Sequence, residues 1–293
     1  MLKVSLISIL FIFSLGCMRA STEPSQSALK ARAAGELSIK EQVVSISDPV
    51  LPPNFTLQST LYIPVTKGPW PLVIINHGAD DIPDHHQQAR FRAIELAKYF
   101  LSRGYLVLLP MREGFASSSG TYESVKDFFN CDLGRWAEFY ARDIQASINY
   151  AVKNLNVKQD QILVVGQSAG GLVTLGFGNQ NSRVNGIINI SGGVAASGCD
   201  WKQKLIDAGS GLGTGTRVPS LWMYASDDKA FFPPEISRPF YDAYHSAGAD
   251  ATFELFTGGH GFALTLGSSK VWGSKVDAFL TKIGLPNVVV KPY

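Results

Sequence analysis

Short apolar runs separated by helix-period segments predict an α/β fold with about eight mostly parallel strands and helices on both faces. Three observations carry that prediction. Most of the strand-length runs are continuously apolar, the mark of strands covered on both faces. Segments of helical length and period stand between successive runs. One run passes through Gly166-Gln167-Ser168-Ala169-Gly170 directly into a helix-like segment, a sharp strand-to-helix junction.

In chain order, residues 42–46 and 55–63 alternate apolar with polar and flank Asp48-Pro49 and Pro52-Pro53-Asn54, which predicts an antiparallel pair. After Pro69-Trp70-Pro71 the alternation stops, and Leu72-Val73-Ile74-Ile75 begins the buried strands. Similar runs recur at 105–109, 162–165, 186–190, 220–224 and 252–256, with helices expected over 90–102, 135–154, 172–178, 235–247 and 271–283. The long stretch 116–135 is read as a small lid or wall, pinned by a Cys131–Cys199 bond. The Gly-rich stretch 209–215 precedes a strand instead of following one, the wrong order for cradling phosphate, and is read as a flexible surface loop. No repeat or internal linker interrupts the pattern, so residues 37–293 read as one domain.

The chain has 293 residues, with 26 Lys and Arg against 24 Asp and Glu. That near balance offers no basic stripe for nucleic acid. Residues 1–20 read as an export leader: Lys3, then a nearly unbroken apolar run to Leu15, then Gly16-Cys17. The run is shorter than the roughly 20 residues a membrane-spanning helix needs. Phe13-Ser14-Leu15-Gly16-Cys17, with Ser14 where Leu is favoured, resembles a bacterial lipoprotein processing site, which would tether the mature protein through a lipidated Cys17; cleavage near Ala20 or Ala33 is the alternative. Residues 21–36 read as a flexible tether. Removing Cys17 from three cysteines leaves Cys131 and Cys199, an even pair suited to a disulfide in an oxidising periplasm or cell envelope, with two buried free thiols as the alternative.

The chemistry centres on Ser168. Flanking glycines permit a turn that holds its hydroxyl at the strand tip, and the helix beginning near Ala169 points free N–H groups toward it. A serine hydroxyl needs a base, and the base needs a carboxylate to orient it. His260, in Gly258-Gly259-His260-Gly261 after the last strand, is the candidate base. His77 is read as bracing its loop and His245 as a solvated helix residue. Asp227 and Asp228 both follow the 220–224 strand, completing a Ser, Asp, His order; Asp228 is preferred because an apolar loop closing on Pro233 follows it, and Asp227 stays open. Backbone N–H groups of Ala169 and of Ala79, with Gly78 close behind, are the candidate oxyanion donors.

Asn76-His77-Gly78, residues 110–115, the Gly-Gln-Ser-Ala-Gly-Gly elbow, residues 221–225 and Gly259-His260-Gly261 together resemble the α/β-hydrolase superfamily, in its dienelactone hydrolase-like branch. The resemblance covers about residues 40–285 and implies an α/β-hydrolase fold. Dienelactone hydrolases proper use a cysteine nucleophile, whereas this chain carries Ser168. The resemblance with that departure implies a serine esterase acting on a small-molecule ester, with a peptidase or amidase of the prolyl-oligopeptidase-like kind as the alternative. A non-catalytic binding protein on the same fold is a second alternative. No cofactor, metal or protein partner is expected. Asp80, Asp81, Asp84, His85 and His86 crowd together but lack zinc-ligand spacing and read as a solvated loop. Arg112 reads as bracing the floor of the site, with substrate contact as the alternative.

Overall fold

The computed structural model describes residues 39–180, 183–291 and 293; the expected leader, the tether and Cys17 lie outside the described residues. Eight strands form one sheet: β1 (Glu41–Ile46), β2 (Leu57–Tyr62), β3 (Trp70–Asn76), β4 (Leu106–Pro110), β5 (Val157–Gln167), β6 (Gly186–Ile190), β7 (Ser220–Ala225) and β8 (Ala251–Phe256). Their spatial order is β1-β2-β4-β3-β5-β6-β7-β8. β1 with β2 and β2 with β4 pair antiparallel, and all later pairs are parallel. The expected α/β architecture is therefore present.

Among the described residues seven α-helices connect and cover the strands: α1 (Ile94–Ser102), α2 (Val125–Phe129), α3 (Leu133–Asn154), α4 (Ala169–Gln180), α5 (Trp201–Gly213), α6 (Pro234–Ser246) and α7 (Ser269–Lys282). The central strands explain their own apolar continuity. Leu72, Ile74, Leu106, Leu108, Ile162 and Val164 enter one core, under α3 and α4. Their neighbours Val73, Ile75, Val107, Leu109, Leu163 and Val165 enter a second core, under α1 and α7. Strand residues alternate between faces, so two covered faces require every position to be apolar.

Two expectations need correction. Residues 209–213 are not a flexible loop but the last turn of α5. A Cβ on Gly209 would lie 2.6 Å from the Phe240 carbonyl oxygen, and one on Gly213 2.3 Å from that of Tyr244. Both pairs are four residues apart, so the glycines are a contact stripe that lets α5 lie against α6. The cost in helix propensity is offset by close packing. The second correction concerns α1, which starts at Ile94 after Ala93, left-handed at φ 39°, so residues 90–93 do not extend it.

Residues 116–135 form a wall fastened to α3. Ser124 caps α2 by accepting from the Asp127 amide. The Glu123 carbonyl accepts from the Trp136 indole, and the Glu123 amide donates to the Tyr140 hydroxyl. Cys131 and Cys199 are joined by a disulfide, tying the end of that wall to the segment before α5. Among the described residues no helix is long and apolar enough to cross a membrane.

Candidate active site

β5 delivers Ser168 to its carboxyl end, in the middle of the sheet. Ser168 adopts φ 55°, a left-handed conformation that a non-glycine residue holds only at a cost, and the surrounding hydrogen bonds hold it. Its amide donates to the Ile190 carbonyl at 2.9 Å, while its own carbonyl accepts from Gly171 at 2.8 Å and Gly193 at 3.1 Å. The turn also requires small neighbours. A Cβ on Gly170 would stand 2.4 Å from the His77 carbonyl oxygen, so α4 begins wedged against the end of β3. A Cβ on Gly78 would come within 3.1 Å of the Ser168 Cβ, which places the loop after β3 beside the elbow.

The loops after β7 and β8 meet through His260. Its Nδ1 lies 2.9 Å from Asp228 Oδ2. A carboxylate only accepts, so Nδ1 carries the proton and Nε2 is left with a lone pair. Among the described residues Nε2 is buried and has no hydrogen-bond partner. Asp228 is itself 1% exposed and accepts from the amides of Ala230, Phe231 and Phe232 at 3.0 to 3.2 Å. The Phe231 ring lies 4.5 Å from the His260 ring and Phe232 5.7 Å from it. A Cβ on Gly193 would strike Phe232, so the segment that donates to the Ser168 carbonyl also touches the ring flanking His260.

The neighbouring acid does a different job. Asp227 is exposed and accepts from the Gly258 and Gly259 amides, anchoring the loop that carries His260. The Gly259 and Gly258 donors hold its carboxyl below the usual range. The two acids were indistinguishable as candidates by order along the chain, and only the geometry separates their contacts.

His77 and Arg112 are both fully buried and hydrogen-bonded to each other. Arg112 has no exposed surface, and its Nη1 donates to the His77 carbonyl. Burial lowers its pKa to about 10, which still leaves the guanidinium charged at neutral pH. Phe115 and Tyr140 lie 4.9 and 5.9 Å from that cation. Arg112 thus holds the His77 carbonyl from a fully buried position, with its Nε and Nη2 unpartnered among the described residues. His245 is exposed on α6, with Nδ1 3.1 Å from the Ala249 carbonyl.

Asp80, Asp81, Asp84, His85 and His86 do not converge. Asp84 caps a short 3-10 turn over His85–Gln87, His85 packs against Phe115 and Tyr122, and His86 lies on the Ala116 and Gly120 carbonyls. A cleft of about 500 Å³ between α3 and α5, lined by Arg135, Glu138, Lys204 and Asp207 among others, shares no residue with the Ser168 and His260 region.

An eight-stranded, mostly parallel sheet with a serine elbow at a central strand tip defines an α/β-hydrolase. The chain belongs to the dienelactone hydrolase family, whose sequence profile matches residues 57–283. It is a hydrolase by that membership. A 131-residue segment, 42% of the chain, is 33% identical to dipeptidyl aminopeptidase BIII of Pseudoxanthomonas mexicana, and spans only 17% of that relative. The esterase Pf2001 of Pyrococcus furiosus superposes with a TM-score of 0.59 at 17% identity, covering 85% of this chain and 96% of that one. The Pyrococcus horikoshii acylaminoacyl peptidase gives 0.61 at 16% identity, covering 90% of this chain but 44% of its own. At such identities the two structures speak for the fold alone.

Proposed function

We propose that the chain is a serine carboxylic ester hydrolase acting on small-molecule esters through an acyl-enzyme. The observation that carries this reading is the His260 to Asp228 hydrogen bond, which leaves a buried, unpartnered Nε2 as the proton acceptor. In the proposed first step His260 Nε2 takes the Ser168 hydroxyl proton as Oγ attacks the ester carbonyl, and Asp228 stabilises the resulting imidazolium. The Ala79 and Ala169 amides receive the oxyanion. The imidazolium then protonates the departing alcohol. Water deprotonated by His260 releases the acid and restores Ser168.

A fluorophosphonate probe is expected to label Ser168, and Ser168→Ala is expected to lose at least three orders of magnitude in kcat with its melting temperature nearly unchanged. Full activity in that variant, or an unlabelled folded protein, would refute the reading; the latter would favour a binding protein on this fold. The aminopeptidase relative supports a second reading, amide or peptide cleavage. Esters of graded acyl length assayed beside aminoacyl and peptidyl amides separate the two. We also propose that the mature protein is exported, either tethered through a lipidated Cys17 or free, and the disulfide supports an oxidising compartment. Mass analysis of the mature N-terminus distinguishes these outcomes, and an intact leader on cytoplasmic protein would exclude both.

A further inference from the structure

We propose that Gln88 is a positioning residue that aims the Ala79 N–H at the oxyanion, an inference that rests on the acyl-transfer reading above. Gln88 follows the His85–Gln87 turn and is 8% exposed. Its side-chain amide brackets Ala79 from both sides. Nε2 donates to the Gly78 carbonyl at 3.2 Å, and Oε1 accepts from the Asp80 amide at 2.9 Å. Those contacts fix the two peptide planes that flank Ala79.

Peptide geometry does the rest. In a trans peptide the N–H points opposite to the C=O of the preceding residue. The Gly78 carbonyl is turned toward Gln88 and His77, so the Ala79 N–H faces the other way. Among the described residues no acceptor meets that N–H. Gly78 itself stands against the Ser168 Cβ, which keeps this amide close to the elbow.

His77 reinforces the same carbonyl. The Arg112 backbone N–H donates to His77 Nε2 at 3.0 Å, which makes Nε2 the unprotonated nitrogen. Nδ1 therefore carries the proton and donates to the Gly78 oxygen at 2.5 Å. Burial, with the Arg112 charge adding to it, keeps this imidazole neutral by pushing its pKa well below the usual histidine range. Two donors on one carbonyl polarise the peptide, and the N–H at its far end becomes a stronger donor. Only a group with one donor and one acceptor in a plane can hold both Gly78 and Asp80, which is what a glutamine amide supplies.

The test uses the full chain with Gln88→Leu and Gln88→Glu. Reactive serine is counted by fluorophosphonate titration, hydrolysis is followed with a p-nitrophenyl ester, and inhibition is measured with an arylboronic acid, which becomes a tetrahedral anion on serine. Loss of a whole oxyanion donor lowers kcat about 10²- to 10³-fold. A misdirected donor should cost less, so Q88L is expected to lose roughly 10- to 100-fold in kcat, with KM within about threefold. Its boronate inhibition constant should rise by a similar factor. For Q88E the activity relative to the parent protein should recover as pH falls, because the protonated acid again offers one donor and one acceptor.

An unchanged kcat, or a loss explained by fewer titratable serines with an unchanged boronate constant, overturns the proposal and leaves the acyl-transfer reading standing. A parent protein that neither labels nor turns over overturns both. Should Q88L fail to fold, the pH-dependent ratio for Q88E decides alone.

Discussion

Replacing Asp228 or Asp227 by asparagine separates two acids that are adjacent in sequence. Asp228 Oδ1 accepts from Ala230 and Phe231, and Oδ2 accepts from Phe232 and His260. An asparagine can keep its carbonyl on the first pair, but its NH₂ then faces His260 Nδ1. The imidazole answers by moving its proton to Nε2, where it can no longer act as the proposed acceptor for the Ser168 proton. A wrong tautomer in such a triad lowers kcat by about 10⁴-fold, or about 5.5 kcal/mol of transition-state stabilisation. Asp227→Asn is milder. Oδ1 alone already meets Gly258 at 3.0 Å and Gly259 at 2.9 Å, so only the 3.1 Å Oδ2 contact is lost. Less than a tenfold loss is expected. The assay is kcat/KM on one p-nitrophenyl ester, with a thermal melt of each variant. Equal losses in the two variants, or a larger loss at Asp227, would refute the reasoning.

The remaining predictions concern stability. The Cys131–Cys199 bond spans 68 positions, so in the chain-entropy treatment its removal frees about 4 kcal/mol of unfolded-state entropy. A double Cys→Ser variant should melt on the order of 10 °C lower, and a shift within 2 °C would contradict that account. Asp143 has no exposed surface, and its pKa is raised to about 7, chiefly by burial. The folded state therefore holds a proton that the unfolded chain releases near 3.8, so this contribution to stability is full below 3.8 and is lost as pH rises to about 7. Asp143→Asn, which can still accept from the Glu113 amide, should flatten that decline in melts taken from pH 4 to pH 8.

The fold was legible because its signal is local and repeated. The runs 72–75, 106–109 and 162–165 at the centre of the sheet are apolar at every position, and that requirement comes from two covered faces. The elbow was legible for a similar reason, since Gly170 admits the His77 carbonyl and no larger residue would. Helix α5 was missed because Gly209 and Gly213 weaken helix propensity while serving contacts with α6 that lie far away in sequence. Gln88 left no signal at all: an isolated glutamine in a polar loop acquires meaning only from the carbonyl and amide it spans. The contacts of Asp227 and Asp228 depended on which of two successive side chains turned inward, a matter of loop geometry.

The sheet order has a consequence for where the protein is fragile. Ser168 hangs from β5, which has a hydrogen-bonded neighbour on each side, whereas His260 follows β8, which among the described residues is an edge strand paired only with β7. Edge elements open at lower free energy than central ones. Fraying of this border strand would carry off the imidazole and leave the serine in place, so the proposed acyl transfer would stop while most of the architecture is still standing.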